Sequence, residues 1–177
     1  DDGVKKYTHI RIGNNQTGKS KIYGGSYNIP DDKMSEFWEL YHNHVFIKKK
    51  IEYLTEKQLR TNGPMLVDLD FRYGIDIDKK QHTKDHIVDL IELYLEEIKK
   101  ILVLNDKPFN IEVFEKPNVN RLTEASIVKD GIHMLFGIQM DNILQVILRE
   151  KILSQLPNLW GGDGGLPLTN TFEQVLD

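Results

Sequence analysis

The spacing of apolar residues changes several times along the chain, and each change marks an element. Tyr7-Thr8-His9-Ile10-Arg11-Ile12-Gly13 alternates with the period of two of a strand and stops on a turn glycine. Lys21-Ile22-Tyr23 reads as a second short strand ended by Gly24-Gly25, with a hairpin through Asn14-Asn15 between them. Pro30-Asp31-Asp32 opens a helix in which Met34, Phe37, Trp38, Tyr41, Val45 and Phe46 recur every three or four residues to about residue 47, so one face should be buried. Lys48-Lys49-Lys50 comes next, where cations suit the helix dipole. The run reads as a solvated helix end, with phosphate contact as the alternative.

Gly63-Pro64 punctuates the chain, and Met65-Leu66-Val67-Asp68-Leu69-Asp70-Phe71 is a mostly apolar run of strand length that ends in acids. A helix is expected from a cap at Thr83 to about Leu102, with Ile87, Leu90, Ile91, Tyr94, Leu95, Ile98 and Leu102 as its stripe. Phe109 to Phe114 alternates as a strand, and Ile132 to Gly137 gives another. Asp141 should cap a third helix with Ile143, Leu144, Ile147, Leu148 and Ile152 facing inward. After Pro157, Trp160-Gly161-Gly162-Asp163-Gly164-Gly165 is too glycine-rich to be regular. From residue 64 the order is strand, helix, strand, strand, helix, strand, the last at the chain's end. That order suggests an α+β fold whose sheet carries helices on one side, the split βαβ arrangement.

Length and composition narrow the classes. With 177 residues, 40% hydrophobic and 28% charged, the chain fits one domain or two closely packed subdomains, here 1–63 and 64–177. No apolar run approaches a spanning helix and no signal peptide is evident, so no membrane partner is expected. The absence of cysteine excludes disulfides and thiolate zinc sites. Charge is uneven: residues 1–60 carry 11 basic against 8 acidic side chains, and residues 61–177 carry 12 against 19. Nucleic-acid binding therefore cannot be argued from bulk charge, and a polyanion partner has to be argued from a site, where bound metal can supply positive charge.

One motif matches by spelling. Gly13-Asn14-Asn15-Gln16-Thr17-Gly18-Lys19-Ser20 satisfies the P-loop pattern after a strand. The phosphate cradle needs a helix starting at the Lys-Ser pair, whereas Lys21-Ile22-Tyr23-Gly24-Gly25 reads as strand and break. The segment is taken as a hairpin turn, with a P-loop NTPase kept as a rival.

The chemistry concentrates at Asp68 and Asp70. Two positions apart on a strand, their side chains leave the same face with Cα atoms about 6.6 Å apart. Two carboxylates so placed repel each other unless divalent cations bridge them, which is the arrangement two-metal phosphoryl chemistry requires. Asp76 and Asp78 repeat the spacing without an apolar run before them and read as turn chemistry. His42/His44 and His82/His86 have spacings open to zinc, but they read as structural or exposed, and no zinc is expected. His133 interrupts an apolar strand; by pattern alone it reads as a satisfied core histidine.

Pro64 to Tyr73, a hydrophobic strand with Asp-hydrophobic-Asp, resembles the first motif of the archaeo-eukaryotic primase superfamily. Lys129-Asp130-Gly131-Ile132-His133-Met134-Leu135-Phe136 resembles its second motif, a small residue, any residue, then histidine on a strand. Leu176-Asp177 resembles the third, a hydrophobic residue followed by Asp. Both of the first two are most similar to the primase-helicases of giant DNA viruses, relatives of the poxvirus protein.

The resemblance implies an archaeo-eukaryotic primase core, with an N-terminal α/β part packed on a split βαβ (RRM-like) catalytic unit. It implies Asp68, Asp70 and Asp177 as metal ligands for two Mg or Mn ions and His133 as a contact to nucleotide phosphates. Arg72 and Lys129 lie beside these motifs, placed to neutralise phosphate charge. The small residue of the second motif is usually serine and here is Gly131, so a hydroxyl contact is missing. The family continues past the third motif, so the chain reads as a fragment whose active site is incomplete. The activity implied is DNA-dependent priming or polymerisation from nucleoside triphosphates on a DNA template. Its partner would be a helicase domain later in the same polypeptide, and its setting the replication site, cytoplasmic, of an infected host cell. The rival from another class is a non-catalytic module whose sheet binds single strands, which needs exposed aromatics on the central strands.

Overall fold

A computed structural model describes residues 7–14, 21–57, 61–104 and 108–176. The chain forms two compact units, Asp1–Leu59 and Arg60–Asp177, a mixed α/β protein in which no described helix is long and apolar enough to cross a membrane.

In the first unit, β1 (His9–Arg11) is the middle strand of an antiparallel sheet between β2 (Gly25–Tyr27) and β3 (Leu54–Glu56). The strand expected at 21–23 reduces to one bridge, Ile22 to Asn14, and the strand itself lies later, where a glycine break was expected. The reason is close backbone approach: a Cβ on Gly13 would sit 2.9 Å from the Gly24 nitrogen, so these glycines let the two segments cross instead of stopping them. Residues 15–20, most of the P-loop spelling, lie outside the described residues, and from Lys21 to Tyr27, where the cradle would need its helix, the chain forms a bridge and a strand.

Asp31–Lys33 is a 3-10 turn leading into α1 (Met34–His42), which widens into a π-helical turn at Asn43–Ile47. No residue of α1 is fully buried, contrary to the expected buried face. Phe37 and Tyr41 are half-covered, and Phe37 packs its ring 5.0 Å from the buried His9. The wider π turn shifts the stripe out of phase, leaving Phe46 and Ile47 exposed. Arg11 grips Glu52 with two bonds of 2.7 and 2.6 Å; desolvation opposes ionisation of Glu52, but the Arg11 bonds win and hold it below the usual carboxylate range.

The second unit is built on β4 (Gly63–Gly74), β5 (Ile111–Glu115), β6 (Asn120–Leu122) and β7 (Ile127–Met140). The strand order is β4-β7-β5, with β6 also on β7 and every pairing antiparallel. Strict alternation on β4 buries Met65, Val67, Leu69, Phe71 and Tyr73 on one face, where they meet Val128, Ile132, Met134 and Phe136 of β7. That face is covered by α2 (Lys84–Ile101), α3 (Asn142–Leu153) and α4 (Leu156–Trp160). Tyr94 of α2 packs on Phe136, and Trp160 of α4 stands edge-on to Phe71.

The caps explain the boundaries. The Thr83 hydroxyl accepts from the His86 amide, whose imidazole answers the Thr83 amide in a capping box, and Asp141 accepts from Ile143. On α3 only Leu148 and Ile152 are fully buried; Ile143 and Ile147 are exposed, because the inward stripe is a narrow four-residue row. The short helix α4, not expected from the sequence, tolerates Pro157 in its first turn, where the missing N–H has no partner to lose. The last strand expected is instead a helical turn, α5 (Phe172–Val175), capped by Thr171, after which Leu176 bridges Leu69 of β4.

Candidate active site

Opposite the helices, β4 and β7 leave one face of the sheet open, and pairing register decides what meets there. Across the two strands Asp68 faces His133, Asp70 faces Gly131 and Arg72 faces Lys129. Asp68, Asp70, Arg72, Lys129 and His133, all singled out in the sequence, thus come together on two adjacent strands. Asp177 is outside the described residues. The side chains of Asp68 and His133 are 55% and 70% exposed, so His133 is no core histidine.

The carboxylates are already engaged. His133 Nε2 is 3.1 Å from Asp68 Oδ1, while Asp70 Oδ2 accepts from Arg72 Nε at 3.2 Å and Nη2 at 3.0 Å, with Lys129 Nζ at 3.4 Å. Each of these partners is a third or more exposed, so such pairs contribute about 0–1 kcal/mol apiece and exchange readily for stronger ligands. The acids and their partners, with Leu69 and with Glu173 and Gln174 of α5, line an open cavity of about 440 Å3.

The edge of β4 beside the acids is held by the chain that comes after the glycine loop. Asn170 brackets it, donating to the Asp70 carbonyl at 2.8 Å and accepting from the Arg72 amide at 3.1 Å, while the Thr169 amide donates to the Arg72 carbonyl. Arg149 donates to the Leu176 carbonyl at 2.6 Å and fixes the end of α5. Sequence reasoning missed Asn170, Glu173 and Gln174, which lie about a hundred residues from β4 and carry no motif.

Gly131 has a physical reason. A Cβ there would lie 2.9 Å from the Leu69 carbonyl oxygen, so the smallest residue lets β7 pass close to β4 and leaves space beside Asp70. Hard oxygen donors next to that space suit Mg or Mn. Among the described residues no group of three histidine or carboxylate side chains is arranged to hold a metal, so Asp68 and Asp70 offer two carboxylates and need a further ligand.

Behind β7, on the helix side, Asp130 and His82 form a buried pair. Their side chains are 0% and 3% exposed, with His82 Nδ1 3.2 Å from Asp130 Oδ2, an ion-pair distance not aligned as a hydrogen bond. His82 Nε2 lies 3.1 Å from Glu115, which also meets Lys80; bonds from Lys80 and His82 hold Glu115 below the usual carboxylate range. Asp130 Oδ1 accepts from the Gly131 amide at 2.9 Å. Burial, reinforced by the Asp130 charge, pushes the nearby Tyr73 hydroxyl up. Asp76 and Asp78 take no part in either cluster; Arg121 holds that turn through the carbonyls of Ile75 and Ile77. His86 serves the cap of α2, and His42 stacks on Phe46.

The family model for the C962R protein N-terminal AEP domain matches residues 17–177. The chain belongs to this archaeo-eukaryotic primase (AEP) family. It is also 34% identical over 154 residues to a protein of Acanthamoeba polyphaga mimivirus named "Putative helicase L207/L206". The match covers 86% of this chain and 16% of that relative, so the chain spans about a sixth of the curated protein it resembles. In this AEP domain the first two motifs lie on β4 and β7, side by side on the open face.

Proposed function

We propose that this AEP domain is the nucleotidyl-transfer domain of a DNA-dependent primase or primase-polymerase, joining nucleotides on a DNA template for viral replication in the infected cell's cytoplasm. The observation that carries the reading is Asp68 and Asp70 side by side on the open face of β4, with His133, Lys129 and Arg72 against them. In this reading a helicase domain belongs to the same full-length polypeptide, and the Arg60–Asp177 unit is the split βαβ catalytic core. Support for that core comes from the β4-β7-β5 order, from α2 between β4 and β5, and from Leu176 on the far edge of β4.

Asp68 and Asp70 would hold Mg or Mn with Asp177, next after Leu176, as the third carboxylate. Bound there, the ions would supply charge neutralisation at the phosphates and a more acidic 3′ hydroxyl. This chain's residues do the rest by positioning. Arg72 and Lys129 leave Asp70 and take the triphosphate oxygens of the incoming nucleotide, and His133 donates to another. The 3′ oxygen forms its bond to the α-phosphorus as the bond to the departing pyrophosphate breaks, so fixed cations on the pyrophosphate stabilise the charge that develops. A non-catalytic single-strand binder fits less well, since charged residues occupy the open face of both central strands where stacking aromatics would be needed.

Template-directed incorporation of nucleotides with Mn is the test. Asp70→Asn should reduce it to background with circular dichroism unchanged, because an amide cannot replace a metal-binding carboxylate. Undiminished incorporation by that variant overturns the assignment.

A further inference from the structure

The rows of paired residues on the open face change chemistry in steps along the strands. Arg72 faces Lys129, and Asp70 faces Gly131. Asp68 faces His133, which in turn faces Phe114 of β5; Leu66 faces Leu135, which faces Glu112. The face therefore runs from a basic end through the two acids to an apolar end. Phe114 is 57% exposed and Leu66 52%, with Leu135 half-buried between their strands. Among the described residues no aromatic ring packs on Phe114, so an incoming base has no ring to displace there.

Strand spacing sets the scale. Neighbouring strands are about 4.8 Å apart, which puts the Phe114 Cα about 10 Å from that of Asp68, with His133 midway. A sugar and a short phosphate chain bridge such a distance. Glu112 closes the apolar end with a negative charge, so phosphates are repelled there and drawn to Arg72 and Lys129.

We propose that Phe114, backed by Leu135 and Leu66, is the platform on which the base of the bound nucleoside triphosphate stacks, with the phosphates lying toward Arg72 and Lys129. The proposal rests on the nucleotidyl-transfer reading above and adds the base site to it. Every base has a π-face, so the platform accepts all four bases. Larger purine faces bind more tightly than pyrimidines.

Equilibrium binding with Mn tests this in the 177-residue chain, comparing parent, Phe114→Ala and Phe114→Trp against ATP, inorganic tripolyphosphate and a single-stranded oligonucleotide. Phe114→Ala should weaken ATP binding about 5- to 150-fold, the range of base–aromatic stacking, while tripolyphosphate binding stays within about twofold and Phe114→Trp restores ATP. Equal ATP affinity in parent and Phe114→Ala overturns the platform and leaves the phosphate site standing. Equal losses of ATP and tripolyphosphate overturn it as well, since Phe114 would then only support His133. Weakened oligonucleotide with unchanged ATP assigns the ring to the template strand, against the proposal. A parent that binds neither ATP nor tripolyphosphate overturns the platform and the nucleotidyl-transfer reading together.

Discussion

Removing the imidazole beneath β7 should destabilise the Arg60–Asp177 unit more than any change on its open face. His82→Phe keeps the ring that stacks on Phe71 at 5.4 Å but deletes both nitrogens. Among the described residues, Asp130, with a fully buried side chain, is left with only the Gly131 amide as hydrogen-bond partner. Where His82 is protonated the two form a buried ion pair, and stranding one member of such a pair costs about 3–5 kcal/mol, a large share of the roughly 5–15 kcal/mol that holds a domain together. The Glu115 side contributes little to that figure, because Glu115 is half exposed and keeps Lys80. Urea unfolding followed by Trp160 fluorescence, in a Trp38→Phe background, reads the effect. With a slope of about 2 kcal/mol per molar urea the midpoint should fall by about 2 M. The double variant His82→Phe/Asp130→Leu removes the stranded charge and should recover most of the loss. A single variant within about 1 kcal/mol of the parent, or a double variant less stable than the single, would refute the reasoning.

The same geometry sets two further outcomes. Gly131→Ser should lower the melting temperature because its Cβ meets the Leu69 carbonyl at 2.9 Å; at about 1–3 kcal/mol of strain the fall is about 2–12 °C by calorimetry, and an unchanged transition contradicts the close approach. Glu115 is held below its ordinary value by Lys80 and His82, so its contribution is complete above the ordinary carboxylate range and lost as pH falls through the lowered value. Glu115→Gln should therefore flatten the acid limb of the stability–pH curve, and an identical acid limb in parent and variant would remove Glu115 from the acid response.

Much of the site was legible because it sits on regular alternation. β4 announces itself by apolar residues at every second position, and the same alternation places Asp68 and Asp70 together on the other face. The helix α2 was readable from the Thr83 cap and its apolar stripe, with buried Leu90, Tyr94 and Ile98. The strand β7 was seen only as 132–137, whereas it spans Ile127–Met140. Lys129-Asp130-Gly131 lacks the apolar pattern of a strand, yet within β7 Lys129 reaches Asp70 and Asp130 finds His82. That pairing joins residues far apart in the chain and has no local signature. Nor has Asn170, whose amide clasps β4 from a segment that reads as loop. The apolar stripe of α1 misled for the opposite reason: its spacing is helical, yet no residue on it is fully buried.

The central claim, that Asp68 and Asp70 hold divalent ions for nucleotidyl transfer, is tested most directly by anomalous diffraction at the manganese edge from crystals soaked with Mn and a non-hydrolysable nucleoside triphosphate. Two peaks about 3.5–4 Å apart are predicted, both bound by Asp68 and Asp70, with Arg72 and Lys129 moved from Asp70 onto phosphate oxygens. Nucleotide bound elsewhere, or no peak at these carboxylates with Asp70 still paired to Arg72 and Lys129, would contradict it.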